Sequence, residues 1–272
     1  HQKGGITMIS ASPNVGKSFF LQNLAYSIAI GEEYFLDRYK LERAKVLYVD
    51  CEMGNSALSQ RFRLICSDDQ PDNLFVVYDC SLDLLDEQSQ QYIEKSIADN
   101  QIEVLIIDPI GDAWSGDERE KQDVNKLTKF FDRIRAAHSV SIIFSHHWRK
   151  KTRDSKSGGE MASGSYKWTA WLDSHVTLEG NTSSMIMSFQ KARNQEREKT
   201  VCLALNKEDL RFRFLHDYEN KFDDTHLEEI FNACNKLKVS QPELIRKARE
   251  LKVCSKDTVR KLLRKSKKFK ID

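Results

Sequence analysis

Residues Ile6–Ala25 read ITMISASPNVGKSFFLQNLA. The short apolar stretch Ile6–Ala11 gives way to a polar loop, then to Gly16-Lys17-Ser18, then to a segment with helical spacing. Strand, tight loop and helix start in that order gather backbone N–H groups and the positive end of a helix dipole around one point. A phosphate fits there. The spacing is A-x-x-x-x-G-K-S from Ala11 to Ser18, which makes Asn14, Val15, Gly16, Lys17, Ser18 and Phe19 the candidate nucleotide contacts. Lys17 would reach the β- and γ-phosphates of ATP, the Ser18 hydroxyl would ligate Mg²⁺, and Gly16 lets the backbone approach the anion. Ala11 stands where the usual pattern has glycine, so a working site and a relic both remain readings of this stretch.

Working outward, two further strands deliver acids. Val104–Asp108, VLIID, is an apolar run ending in a carboxylate, as a metal-binding strand end requires. The second, VLYVDCEM, offers Glu52 as a base for an attacking water, with Asp50 as its rival. Continuous apolar runs at Ile6–Ala11, Lys45–Asp50, Leu74–Tyr78, Val104–Asp108 and Val140–Ser145 read as strands buried on both faces of a parallel sheet. Helix-period segments at Ser18–Ile30, Ser56–Cys66, Glu87–Asp99 and Val124–His138 lie between them, predicting an α/β domain. After a polar, Gly- and Ser-rich loop at 149–165 and a helical patch at Tyr166–Leu172, closely spaced strands follow. They are His175–Glu179, Met185–Gln190, Val201–Leu205 and Leu210–Leu215, and they predict an antiparallel extension of the sheet.

The chain of 272 residues is 40% hydrophobic and 31% charged, a soluble globular composition without a membrane-length apolar run. It begins at His1 rather than Met, so it is expected to be either a fragment of a longer protein or a tagged chain. Its 6 cysteines are scattered, which points to a reducing, cytoplasmic setting rather than a disulfide framework. The net charge of +2 hides an asymmetry: residues 236–270 hold 14 Lys/Arg against 3 Asp/Glu, and the rest of the chain is acidic. A basic tail on an acidic body suits contact with nucleic acid. Within that tail, Leu244, Ile245, Ala248 and Leu251 share one helical face, and Val259, Leu262 and Leu263 share another after the Ser255 cap. This is the pattern of a small all-α, helix-turn-helix or winged-helix unit, with Lys256, Arg260, Lys261 and Arg264 on its exposed side. The predicted domains are 1–216, a linker at 217–226, and 227–272.

The series ASPNVGKS, DCEM, LIIDPIGDAWSGDEREKQDV, SIIFSHHWRK and KAR resembles the RecA-like P-loop ATPases over residues 1–216. The resemblance is strongest to the plasmid RepA-type hexameric helicases, with DnaB-type helicases as cousins. It implies a RecA-like domain with ATP and Mg²⁺ as cofactors, Glu52 as catalytic base, and Asp108 holding Mg²⁺ through water. It implies that His146 or His147 senses the γ-phosphate, that Arg61 lies near the base, and that Lys191 and Arg193 enter a neighbour's site. It further implies DNA-contacting residues in the loop (Arg149, Lys150, Lys151, Arg153, Lys156), a homo-oligomer, usually a hexamer, and an N-terminal primase or polymerase partner. The implied function is a ring-forming, ATP-driven DNA motor of a phage, plasmid or mobile element. A non-unwinding RecA-like mediator and a binding module with a relic site are the alternatives. One departure from the family is MASGSYKW, which lacks the arginine that relatives carry after the loop and leaves more of that role to Lys191 and Arg193.

Overall fold

The computed structural model describes residues 4–67, 71–118, 120–147, 166–193, 196, 198–218, 230–232, 240–250, 259, 260 and 263. The chain divides into two units, 1–218 and 219–272.

The first unit is built on a sheet of nine strands. In chain order these include β1 (Ile6–Ala11), β4 (Val46–Asp50), β5 (Leu74–Tyr78), β6 (Val104–Asp108) and β7 (Ser141–His147). They continue with β8 (Ser174–Asn181), β9 (Ser184–Ala192), β10 (Val201–Leu205) and β11 (Phe212–Asp217). The spatial order is β11-β10-β9-β8-β1-β7-β6-β4-β5. Two-residue strands β2 (Tyr34–Phe35) and β3 (Tyr39–Lys40) form a separate small hairpin. The helices are α1 (Lys17–Ile30), α2 (Asn55–Cys66), α3 (Glu87–Asn100), α4 (Lys121–His138) and α5 (Tyr166–Trp171).

The expectation of an α/β domain with a mainly parallel sheet and an antiparallel extension is met. The antiparallel extension begins at His175, with β8–β9, β9–β10 and β10–β11 all antiparallel pairs, and β8 joins it to the rest of the sheet by pairing in parallel with β1. The cause is the path through α5, which returns the chain to the starting edge of β1. There the Asp173 carboxylate accepts from the Ile6 amide at 2.9 Å.

Side-chain alternation divides the core in two, as the period-two geometry of strands requires. Ile6 and Met8 of β1, Leu105 and Ile107 of β6, and Ile142 and Phe144 of β7 face α3, α4 and α5. Ile9, Ala11, Ile106 and Ile143 face α1 and α2 instead. On α4, Val124, Leu127, Thr128, Phe131 and Ile134 recur at helical spacing and turn inward. Its Phe131 ring stacks on Phe144 and Trp171, and Trp168 packs edge-on to Trp114. Burying such side chains stabilises the fold by about 1.5–3 kcal/mol each.

The second unit contains α6 (Gln241–Glu250) and helical residues at 230–232, 259, 260 and 263. Leu244, Ile245, Val259 and Leu263 are buried and Arg260 is exposed. Among the described residues no helix is long and apolar enough to cross a membrane.

Candidate active site

The parallel registers decide where the chemistry collects. Ala11 of β1 lies opposite His147 of β7, and Asp50 of β4 lies opposite Asp108 of β6. The loop after β1 and the acids after β4 and β6 therefore share the carboxyl-terminal edge of the sheet. Ligands of open α/β folds bind at that edge.

The loop itself is shaped by two left-handed residues, Asn14 at φ 65° and Gly16 at φ 103°. Ala11 is neither: it ends β1 inside the core, so the position that usually holds glycine makes no left-handed demand here. Gly16 has a second reason to be glycine. A Cβ there would lie 2.7 Å from Thr182 Cγ2, in the turn between β8 and β9. Helix α1 starts immediately after, with no side chain capping its first amides and no acid in its first turn. Those donors and the helix dipole are left to an anionic ligand.

Lys17 is buried, and its ammonium donates to His147 Nδ1 at 3.2 Å. That contact leaves the imidazole proton on Nε2. Burial holds the Lys17 pKa below its ordinary value, while Asp108, Glu52 and Asp112 pull it back up. The His147 pKa is also lowered, first by burial and then by the Lys17 charge. A buried cation watched by three carboxylates and paired with a neutral imidazole is poorly satisfied. A phosphate would satisfy it better.

Asp108 is buried with both oxygens occupied: Tyr48 donates to Oδ2 at 2.7 Å and Ser145 donates to Oδ1. These hydroxyls fix the carboxylate at the strand end, and in turn the Tyr48 pKa is pushed well above the phenol range, by burial and then by Asp108. Asp50 is turned to its own chain, its Oδ1 accepting from the amides of Met53 at 2.6 Å and Glu52 at 3.1 Å. Burial raises its pKa to about 6 against those two hydrogen bonds. Glu52 is exposed at the mouth, with its charge felt at both Lys17 and His147.

Of the remaining candidates, Ser18 and Phe19 sit in the first turn of α1, and Val15 is buried beneath the loop. The Arg61 guanidinium of α2 lies 4.2 Å over the Phe19 ring. The two histidines part company across the sheet. His147 faces Lys17, whereas His146 points to the opposite face, where its Nε2 meets Glu118. Lys191 and Arg193 are not with the loop at all. At the end of β9, both donate to the Ala170 carbonyl, and Arg193 pairs with Asp173 at 3.1 Å. Since Ser174 pairs with Ala192 and Thr7 with Ser174, these cations lie by the starting edge of β1, across the sheet from Lys17. Arg149, Lys150, Lys151, Arg153, Lys156, Lys256, Lys261 and Arg264 lie outside the described residues.

The sequence reading did not single out Asp112, whose charge is felt at Lys17 and His147, or Tyr48 and Ser145, which hold Asp108. Period-two alternation could have found Ser145, because it shares a face with His147.

Among solved structures, a KaiC-like protein from Pyrococcus horikoshii OT3 is similar in fold, at TM-score 0.57 and 12% identity over 78% of this chain and 90% of that one. A DnaB-like replicative helicase, described with its primase interactions, is similar at TM-score 0.60 and 14% identity. The match covers 79% of this chain and 58% of the helicase. No curated protein matches the chain in sequence. The model of the AAA domain family matches residues 1–153, which hold the phosphate loop, both acidic strand ends and the histidine pair. The chain therefore belongs to the AAA domain family, folded as a RecA-like P-loop ATPase domain.

Proposed function

We propose that the chain is an ATP-hydrolysing motor acting on DNA, assembled as a homo-oligomeric ring whose sites are shared between neighbouring copies. One observation carries the reading. The phosphate-handling groups, Lys17, Ser18 and Asp108, stand at one edge of the sheet, while the two cations fit to complete a site, Lys191 and Arg193, stand at the other. A motor of this kind needs nucleotide chemistry to fall between subunits, so that turnover in one displaces the next.

Each residue then has a task. Gly16 and the α1 amides cradle the phosphates, and Lys17 exchanges His147 for a phosphoryl oxygen. Ser18 and Asp108 would hold Mg²⁺, which supplies charge neutralisation at the phosphates. They suit it: one hydroxyl in the first turn and one fixed carboxylate leave room for the waters Mg²⁺ retains. Glu52, rather than Asp50, orients and deprotonates the attacking water, because Asp50 is engaged by two amides and Glu52 is open to solvent. Arg61 and Phe19 form a stacked wall beside the phosphate end of α1. Lys191 and Arg193 stabilise charge on the γ-phosphoryl group of the adjoining copy.

The DNA reading rests on the charge asymmetry of the sequence and on likeness to a DnaB-like replicative helicase. The loop at 149–165 and the basic unit at 227–272, beyond a linker at 217–226, are the proposed contacts. A role in replication alongside a primase or polymerase, in the cytoplasm, completes the proposal.

The test is ATP turnover with and without single-stranded DNA, together with strand separation on a forked duplex, for the parent and for Lys17→Ala. The expected result is DNA-stimulated turnover with unwinding, and at least a 100-fold loss of turnover in Lys17→Ala. Unchanged turnover in that variant would overturn the site. Turnover without stimulation or unwinding would overturn the motor and leave an ATPase.

A further inference from the structure

Helix α1 opens with Lys17 and Ser18, the residues placed at phosphate and metal, and one turn further on it carries Gln22. Residues four apart lie over one another on a helix, so Gln22 shares a face with Ser18. Gln22 is fully buried. Among the described residues it is the one side chain in which two buried polar atoms, Nε2 and Oε1, both go without a hydrogen bond. Each polar atom taken from water and left unmatched works against folding, and native cores hold few of them. Leucine or methionine would form this helix equally well without that cost. A carboxamide at this position therefore requires an account.

The account lies in what stands beside it. Tyr48 of β4 is fully buried among the side chains that face α1 and α2, edge-on to Phe62 with 5.4 Å between ring centroids. Its hydroxyl is the group that acts on Asp108, donating to Oδ2 at 2.7 Å. The Gln22 carboxamide interacts with that same hydroxyl, from outside hydrogen-bonding geometry. Proton inventory fixes the roles. A phenol has one proton, and Asp108 takes it, so the Tyr48 oxygen is left as an acceptor. The carboxamide N–H is the donor that suits it. Drawn together, the three groups make one chain of a single polarity, from Gln22 N–H to Tyr48 and from Tyr48 O–H to Asp108. Each bond in such a chain strengthens the next. The other carboxylate oxygen is held separately, by Ser145 of β7.

We propose that Gln22 is a positioning residue that acts through Tyr48 to set the Asp108 carboxylate for Mg²⁺. It would tie the helix that carries Ser18 to the strand that carries Asp108. The proposal rests on the reading of Ser18 and Asp108 as the residues that hold Mg²⁺. It explains why an unmatched amide is kept: groups that orient a metal's ligands matter to affinity nearly as much as the ligands, and local rules of stability are broken at such sites.

Gln22→Met removes both polar atoms at nearly constant volume, and Gln22→Asn keeps the amide but withdraws it from Tyr48. Three quantities are measured on the full chain. They are the Mg²⁺ concentration for half-maximal ATP turnover, the rise in melting temperature of the ADP-bound chain as MgCl₂ is added, and the melting temperature without nucleotide or metal. Both variants are expected to need about 10-fold more Mg²⁺ in the first two measurements. ADP affinity in EDTA is expected to stay at the parental value. Without ligands, Gln22→Met is expected to melt about 2–4 °C above the parent, because an unmatched group has gone. The double variant Gln22→Met/Tyr48→Phe should need no more Mg²⁺ than Tyr48→Phe alone, since the amide acts through the hydroxyl.

A folded Gln22→Met chain with the parental Mg²⁺ requirement would overturn the proposal, as would additive effects in the double variant. If Gln22→Met melts below the parent and Gln22→Asn keeps the parental requirement, the amide serves packing and the proposal fails. Asp108→Asn, run in parallel, separates the premise from the inference. If it raises the Mg²⁺ requirement and Gln22→Met does not, the metal reading stands and the inference fails. If Asp108→Asn itself keeps the parental requirement, the metal reading fails.

Discussion

At the scale of single residues, the site is governed by what burial does to charge. Lys17, His147 and His175 are all pushed toward their neutral forms, and in each case desolvation is the largest cause. His175 gives this a measurable consequence. Its pKa is lowered from 6.5 to about 4, so the unfolded chain takes up a proton that the folded protein refuses. A depressed folded-state pKa on a histidine means that stability is lost as pH falls from 6.5 toward 4, and is level above and below that window. The loss is about 2–3 kcal/mol. Urea denaturation of the parent and of His175→Gln at pH 7.5 and pH 4.5 should show the variant losing less stability over this interval by roughly that amount. Equal losses would mean that His175 titrates freely. At this scale the phosphate loop was the most legible feature of the chain, because gripping a phosphate needs contiguous residues. Asp112 and Tyr48 were not legible, since their effects arrive through space, Tyr48 from β4 and Asp112 from the turn after β6.

At the scale of elements, the two faces of the sheet have different work. One holds the α1 loop and the acids; the other holds an aromatic cluster beneath α4 and α5, in which Phe131 is fully buried and touches Phe130, Phe144 and Trp171. Phe131→Ala should cost about 3–5 kcal/mol, read as a lowered urea midpoint at unchanged m-value. A cost under 1 kcal/mol would mean that the cluster collapses around the gap. Most strands were visible in the sequence, since continuous apolar runs of this length have few alternatives. The direction of β8 was not, because its pattern is the same whichever way it runs; the return of the chain through α5 and Asp173 decides it. The β2–β3 hairpin was missed because two-residue strands carry no periodicity.

At the scale of the whole molecule, the proposal makes catalysis a property of pairs. Arg193→Ala should lose turnover as an isolated preparation, and so should Glu52→Ala, for opposite reasons: one lacks the donated cation, the other its own base. Mixing the two should restore part of the activity, because some interfaces then join an intact Glu52 to an intact Arg193. No restoration in a mixture shown to exchange subunits would place both groups in one chain's site. Arg193 is a fair target, since it is exposed and its ion pair with Asp173 is the kind that contributes 1 kcal/mol or less. The fold class was readable from sequence at this scale because strand and helix alternate so regularly. The proposed sharing of sites came from the resemblance of the KAR stretch alone, because nothing in a linear pattern says which edge of a sheet a neighbour will meet.

The hairpin of β8 and β9 joins these scales. Its turn touches Gly16 through Thr182, and nine residues later, at roughly 3.4 Å per residue, β9 ends beside Lys191 and Arg193. In the proposed assembly, contact between the far end of one copy and the phosphate loop of the next would be head-to-tail. Such a contact repeats until it either closes on itself or stops. Every open string of copies then ends in one loop without a donor and one donor without a loop, whereas a closed circle has neither. On that proposal, turnover per chain would climb with assembly length and level off only on closure, so that the assembly would in effect count its own members.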